Sequence, residues 1–374
     1  MIMKIGGVRP FTAEDIPAVA DLWQRSFRHT DRPASEELRR YFRQIFFESP
    51  WVDPDLPCLV YEAERHAVIG FLGVLPRPMV FRGRPIRMAV ATQLMVDPTR
   101  RRGFAALDLF RTFLAGQQDL SYSDGANEHA HAIWERAGGD TARLYCLEWT
   151  RSLRPAQSIN RRIRSHKRLE ALAWAAKPAC VAFDALATRI SHSPLRLPPP
   201  PATLRQEDLT AKGLFAALAE IQPAPALAPR YDVRSLEWLL DRAAEARSLG
   251  ELRGALVRDE TDELAGWYLY YAKGGQAAHV LQIGAEPGAF SSVLDCLVHD
   301  AWRTGAIAVS GQLDPRFLEK LHDKRCRLAC LGAGVLVHAR DPDISAAVHR
   351  GDAFLSRLEG EWWLRLGIDR RMDW

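Results

Sequence analysis

The stretch of this chain with the most chemical content is Val96-Asp97-Pro98-Thr99-Arg100-Arg101-Arg102-Gly103-Phe104-Ala105. A strand-like apolar run ends there, the chain turns, and an amphipathic helical pattern begins. The first turn of a helix leaves backbone N–H groups without intrahelical partners. They point at one spot, where the macrodipole adds partial positive charge. Gly103 lets a ligand approach the main chain closely. Arg100, Arg101 and Arg102 raise the local positive potential. Together these features suit a pyrophosphate. A solvated basic turn is the plain alternative, and the position between strand and helix favours the site.

The surrounding pattern supplies the elements that would hold such a site. A short strand leads to Thr12, an N-cap with Asp15 in the first turn. Ile16, Val19, Trp23 and Phe27 then recur at helical spacing. A second helix is expected over 35–48. Two strand-like runs follow in 58–76, around a polar turn at 64–66. The strand 88–96 ends at Asp97-Pro98. The helix after it places Ala106, Leu109, Phe110, Phe113 and Leu114 on one face and stops at Gly116. Residues 154–202 differ: a basic run (160–168), an Ala-rich apolar stretch, then Pro198–Pro201, a stiff extended connector.

Residues 203–374 repeat the first plan. The segment 204–209 echoes 9–16, and 264–271 echoes 68–75. Gln282-Ile283-Gly284-Ala285-Glu286-Pro287 echoes Gln93-Leu94-Met95-Val96-Asp97-Pro98 at the same spacing. Three echoes in one order predict two copies of one fold. Only the first copy has a basic, glycine-containing turn; the second has Gly288 to Ser292 with no basic residue.

Composition sets the outer bounds. The chain has 374 residues, 47% apolar and 26% charged, which excludes a mainly disordered protein and suits two domains. The net charge of +4 is too mild to argue for nucleic acid. No apolar run reaches the ~18–20 residues of a membrane span, and the N-terminus lacks a signal-peptide pattern. Of six cysteines only Cys326 and Cys330 are close, and no second pair completes a zinc site. Reduced thiols, a cytoplasmic location and no metal are the expectations.

Arg100-x-x-Gly103-x-Ala105 resembles the acyl-CoA signature of the GNAT acyltransferases, R/Q-x-x-G-x-G/A, and the order of elements around it is similar to theirs. Ser123 to Asn127, followed by a helix ending at Gly138-Gly139, resembles the family's next strand–helix unit. The resemblance covers about 145 residues well and the third zone more weakly. It implies a mixed α/β (α+β) fold with two GNAT-like domains, each a twisted, mostly antiparallel sheet flanked by helices. The divisions are 1–153 for the acyl-CoA domain, 154–202 for the connector and 203–374 for a degenerate copy. It also implies an N-acyltransferase using acetyl-CoA or another acyl-CoA as cosubstrate and a small amine as acceptor.

Roles follow residue by residue from that resemblance. The central strand would splay from its neighbour, so that Leu94, Met95 and Val96 pair with pantetheine. The Met95 N–H would support the thioester oxygen. The amides from Arg101 through Phe104 to Ala105 would hold the pyrophosphate. Asn127 would contact the pantetheine or simply cap the next helix. Many of these enzymes have a tyrosine seven residues later as general acid. Here Trp134 stands there, and indole cannot supply that proton. Tyr122 or Tyr145 could substitute, and Trp134 would line the tunnel or pack in the core. Asp124, Glu128 and His129 are candidates for general base.

Other features remain open. The run from Arg161 to Arg168 is a solvated helix face or a contact for RNA, anionic lipid or an acidic substrate, with peripheral membrane contact possible over 160–190. Glu361-Trp362-Trp363 reads as packing ahead of recognition. In tandem architectures of this kind the C-terminal region can enter the cleft, which draws attention to Met372–Trp374. Alternatives to the acyltransferase are a non-catalytic acyl-CoA-binding scaffold and a FemAB-like aminoacyl transferase. Monomer and homodimer are both compatible with the sequence.

Overall fold

The computed structural model describes residues 6–100, 104–164, 168–189, 199–220, 225–330 and 334–364. The strands of the first half are β1 (Gly7–Pro10), β2 (Leu59–Glu62), β3 (Val68–Phe81), β4 (Arg84–Val96), β5 (Leu120–Ala126), β6 (Asp140–Thr141) and β7 (Leu147–Ser152). Those of the second are β8 (Arg205–Asp208), β9 (Leu227–Pro229), β10 (Glu251–Arg258), β11 (Leu264–Ala272), β12 (Ala277–Ala285), β13 (Ala308–Gln312), β14 (Arg327–Cys330) and β15 (Gly334–Ala339). They form two mixed, mostly antiparallel sheets. One runs β1-β2-β3-β4-β5-β15-β6, with β9 also pairing β3; the other runs β14-β7-β13-β12-β11-β10-β8.

The expected early elements are present. The Thr12 N–H bonds Asp15 at 2.9 Å, closing a capping box ahead of α1 (Ile16–Trp23). Ser35 caps α2 (Glu36–Phe46) through the Leu38 N–H. Phe11, Phe42, Phe46 and Phe71 pack edge to face where α2 meets β3, a geometry that suits the ring quadrupoles. Helices α3 (Ala105–Leu114) and α4 (Glu128–Ala137) flank β4 and β5. Next come α5 (Pro155–Arg164) and α6 (Glu170–Arg189), in the zone read as a connector. The second half adds α7 (Ala211–Glu220), α8 (Val233–Ala244), α9 (Phe290–Arg303), α10 (Leu318–Asp323) and α11 (Pro342–His349).

The two sheets do not each draw on one half of the chain. Strand β15 lies between β5 and β6 of the first sheet, with Val337 opposite Tyr122. Strand β7 lies between β13 and β14 of the second, with Trp149 opposite Gly311. Each half thus lends the other a strand. Alternation patterns report which residues are half-buried, not which sheet receives them, so the exchange has no local signature. The main core accordingly mixes Phe71, Val90 and Leu109 with Leu239, Leu269 and Tyr271.

All six cysteines are free thiols. Among the described residues no cluster of His, Cys, Asp or Glu could hold a metal, and no helix is long and apolar enough to cross a membrane.

Candidate functional site

Strand β4 pairs antiparallel with β3 along its length but meets β5 in parallel only at Met88↔Leu120, Ala89↔Ser121 and Val90↔Tyr122. Beyond that pair the strands part. Residues 91–96 of β4 and 123–126 of β5 form the two walls of a V. The β3–β4 register slips between Phe71↔Met95 and Gly73↔Thr92, so β4 carries one extra residue, a β-bulge. Gln93 within it has φ of 51°, a left-handed conformation uncommon for a side chain with a Cβ. A bulge at this place re-aims main-chain groups.

The register bears on Met95. The Asp97 N–H donates to the Ile69 carbonyl at 2.8 Å. Antiparallel pairs alternate between hydrogen-bonded and open, so Met95 opposite Phe71 belongs to the same bonded set as Asp97 opposite Ile69. Its N–H therefore faces β3, and its side chain is buried in the core. The cleft-facing N–H groups include that of Val96, by the same alternation, and that of Gln93, which meets Glu361 in the V.

Beyond β4, Thr99 bonds the Asp97 carboxylate through its N–H (2.9 Å) and its hydroxyl (2.7 Å) in a tight turn. Arg100 ends a short 3-10 segment. Arg101, Arg102 and Gly103 lie outside the described residues. Phe104 is exposed, and Ala105 opens α3 as a buried first residue. The first-turn N–H groups of α3 thus begin where the sequence placed them.

Three other expectations meet definite surroundings. Asn127 caps α4, accepting the Ala130 N–H at 2.9 Å, which is the capping alternative. Trp134 is fully buried against Phe110 and Phe113 and donates to the Val337 carbonyl at 3.3 Å. It is a core residue, not a tunnel wall, because β15 covers the face it occupies. Glu128 and His129 are exposed in the first turn of α4, where an acidic side chain favours the dipole. The phenol of Tyr145 is held by the Ala353 carbonyl at 2.7 Å. Burial and the charge of Asp124 keep the Tyr122 phenol well above its ordinary range.

The occupant of the V is a segment that the sequence reading gave to packing. Residues 353–364 run across both sheets. The Glu361 carboxylate sits between β4 and β5. It accepts the Ser123 hydroxyl at 2.7 Å, the Thr92 hydroxyl, and the N–H groups of Gln93 and Gly125. Its own N–H donates to Asp124 at 2.7 Å. Burial pushes its carboxyl above the ordinary glutamate range, against the pull of those four donors. Nearby, the Gln93 amide donates to the Tyr41 hydroxyl at 3.1 Å. Gly360 fits only because it lacks a Cβ, which would meet the Asp124 carboxylate at 2.1 Å.

The second sheet has a matching place. Strands β12 and β13 pair in parallel only from Ala277↔Ala308 to His279↔Ser310, and the β11–β12 register slips between Leu269↔Gln282 and Tyr270↔Val280. Gln282, the echo of Gln93, donates to buried Glu359 at 2.8 Å and accepts the Trp267 indole at 2.8 Å. Glu359 also takes bonds from Tyr231 and Ser356. Arg357 reaches Glu148 at 2.6 Å and lies over the Trp362 ring. One C-terminal segment therefore engages both bulged strands. The Gln93/Gln282 echo, one of the three sequence echoes, falls on that symmetry.

Comparison with known proteins bears on the fold. Residues 7–119 match the acetyltransferase (GNAT) domain family. No curated protein matches. A conserved protein of unknown function from Enterococcus faecalis V583, described as a probable N-acyltransferase, aligns at TM-score 0.58 and 11% identity over 89% of this chain and 72% of its own. A GCN5-related N-acetyltransferase from Anabaena variabilis aligns at 0.57 and 11% identity over 89% and 72%. Another from Kribbella flavida aligns at 0.54 and 15% identity over 90% and 72%. At such identities the structural likeness establishes the fold. The chain has the GNAT fold, and its residues 7–119 match the GNAT acetyltransferase domain family.

Proposed function

We propose that this protein transfers an acyl group, most simply acetyl, from acyl-CoA to a primary amine by direct attack. The acyltransferase class comes from the domain match over 7–119. The observation that carries the finer reading is the V between β4 and β5, at the end of the strand that the sequence follows with Arg100 to Gly103. Past the Glu361 carboxylate, the β4 edge toward Val96 is not paired by β5, and main-chain groups there need partners that a pantetheine arm, with its two amides, would supply. Val96 would pair with that arm. Arg100, Arg101, Arg102 and Gly103, with the first-turn amides of α3, would hold the pyrophosphate.

In the reaction the amine nitrogen bonds to the thioester carbon. The developing oxyanion rests on a cleft-facing N–H of β4. The carbon–sulfur bond then breaks and CoA leaves as a thiolate, a tolerable leaving group because thiols are fairly acidic. Glu361 is our candidate for the general base. Its carboxylate lies in the V, and its raised pKa brings it nearer to the range where a base is both free and effective. Asp124 would position it through the Glu361 N–H. We read the chain as an acyl-CoA unit at 1–153, a connector at 154–202 and a second GNAT-like unit at 203–374 that shapes the acceptor side, with β7 and β15 exchanged between the units.

The test is release of free thiol from acetyl-CoA with a panel of arylamines, polyamines, amino sugars and peptides. Amine-dependent release supports the reading. Acetyl-CoA binding without turnover on any amine would favour a non-catalytic acyl-CoA-binding role.

A further inference from the structure

Helices α5 and α6 form a hairpin whose outer surface is unlike the rest of the molecule. Helix α6 buries only a narrow stripe that includes Ala173, Asp184 and Ala187. Asp184 is committed: its carboxylate accepts the N–H groups of Ala156 and Gln157, both at 3.0 Å, at the start of α5. Around that stripe Leu172, Phe183 and Leu186 are 66%, 57% and 61% exposed, and Trp174 is 53% exposed. Spacings of eleven and three residues put Leu172, Phe183 and Leu186 on one helix face. A contiguous apolar surface of this kind marks an interaction site.

Its charge identifies the partner. Residues 155–189 hold seven Lys/Arg against two Asp/Glu, a net +5, whereas the whole chain is only +4. Arg162 and Arg168 are exposed. Arg168 falls one turn from Leu172 on the apolar face, whereas Trp174, with Arg164 at 4.6 Å and Lys177 at 5.5 Å from its ring centroid, lies on another side of α6. A second copy of the chain meeting this face through a two-fold axis would set like charges together. Lys177, Pro178 and Asp184 interrupt α6, so it is suited to lie on a bilayer, not across it. We propose that the α5–α6 face docks on an anionic lipid surface. The apolar side chains would enter the headgroup boundary while the basic ones pair with lipid phosphates and carboxylates.

Co-sedimentation with vesicles tests this on the full chain, independently of any acyl transfer. The protein should pellet with 3:1 phosphatidylcholine/phosphatidylglycerol vesicles, stay in solution with phosphatidylcholine alone, and be released by high salt. The triple variant Leu172→Asp, Phe183→Asp, Leu186→Asp should lose binding. The double variant Arg162→Glu, Arg168→Glu, which leaves the apolar face intact, should weaken binding about tenfold or more. No pelleting of the wild type, equal pelleting with neutral vesicles, or binding unchanged in both variants would overturn the proposal. So would a solution dimer that the triple variant dissociates while neither protein binds vesicles, which would assign the face to a second copy.

Discussion

Removing the Glu361 carboxylate should loosen the V in a pH-dependent way. Glu361→Ala strands four donors. The Ser123 and Thr92 hydroxyls can rotate to other acceptors, but the Gln93 and Gly125 N–H groups are fixed by the main chain. A buried N–H left unpaired costs about 1–3 kcal/mol. Water can reach this partly exposed residue, so the pair should cost about 2–3 kcal/mol in total. For a chain of this size that is a fall of roughly 2–4 °C in Tm. The sign of the pH dependence follows from linkage. Burial raises the folded pKa of Glu361 above its ordinary 4.5, so the folded state binds the proton more tightly than the unfolded one. The stability contributed by Glu361 is then greatest below that ordinary value and declines as pH rises through the folded one. Glu361→Ala and the isosteric Glu361→Gln should therefore cost more at pH 5 than at pH 8, with alanine the worse of the two. Thermal melts followed by circular dichroism across that range are the assay. A Tm within 1 °C of wild type, or a loss that grows with pH, would refute the placement of this carboxylate in the V.

Three further outcomes are expected. Trp134→Ala should cost about 3–5 kcal/mol of stability by opening a core cavity, while Trp134→Phe should melt lower yet bind acetyl-CoA unchanged by calorimetry; a selective loss of affinity would return the indole to the tunnel. Gly360→Ala, whose Cβ would press on Asp124, should destabilise by about 1–3 kcal/mol, and denaturant melts in which it equals wild type would show that Asp124 is free to move. In native protein an alkylating reagent followed by mass spectrometry should label exposed Cys330 first and spare buried Cys58, whose thiol is pushed up to about 12; early labelling of Cys58 would contradict its burial.

Much of the first half was legible because its signals are local. The apolar run before Asp97-Pro98, the α3 pattern beginning at Ala105 and the Asn127 cap each depend on neighbours within a few residues. What was not legible depends on partners far along the chain. Ser123 and Glu361 are 238 residues apart, and no pattern near either one announces the other. The exchange of β7 and β15 is invisible for the same reason. Met95 shows a subtler limit: its place on the central strand was readable, but the direction of its N–H depends on the β3 register and the bulge at Gln93. Trp134, the departure from the expected tyrosine, found its meaning only once β15 covered it.

Calorimetric titration of acetyl-CoA tests the central claim most directly, using wild type, Gly103→Glu and Ser291→Glu. Binding by the wild type and by Ser291→Glu, abolished in Gly103→Glu, is the expected result and fixes the cofactor on the β4–α3 turn. No binding by the wild type at millimolar acetyl-CoA, or equal losses in both variants, would contradict the assignment of one acyl-CoA site to the first sheet.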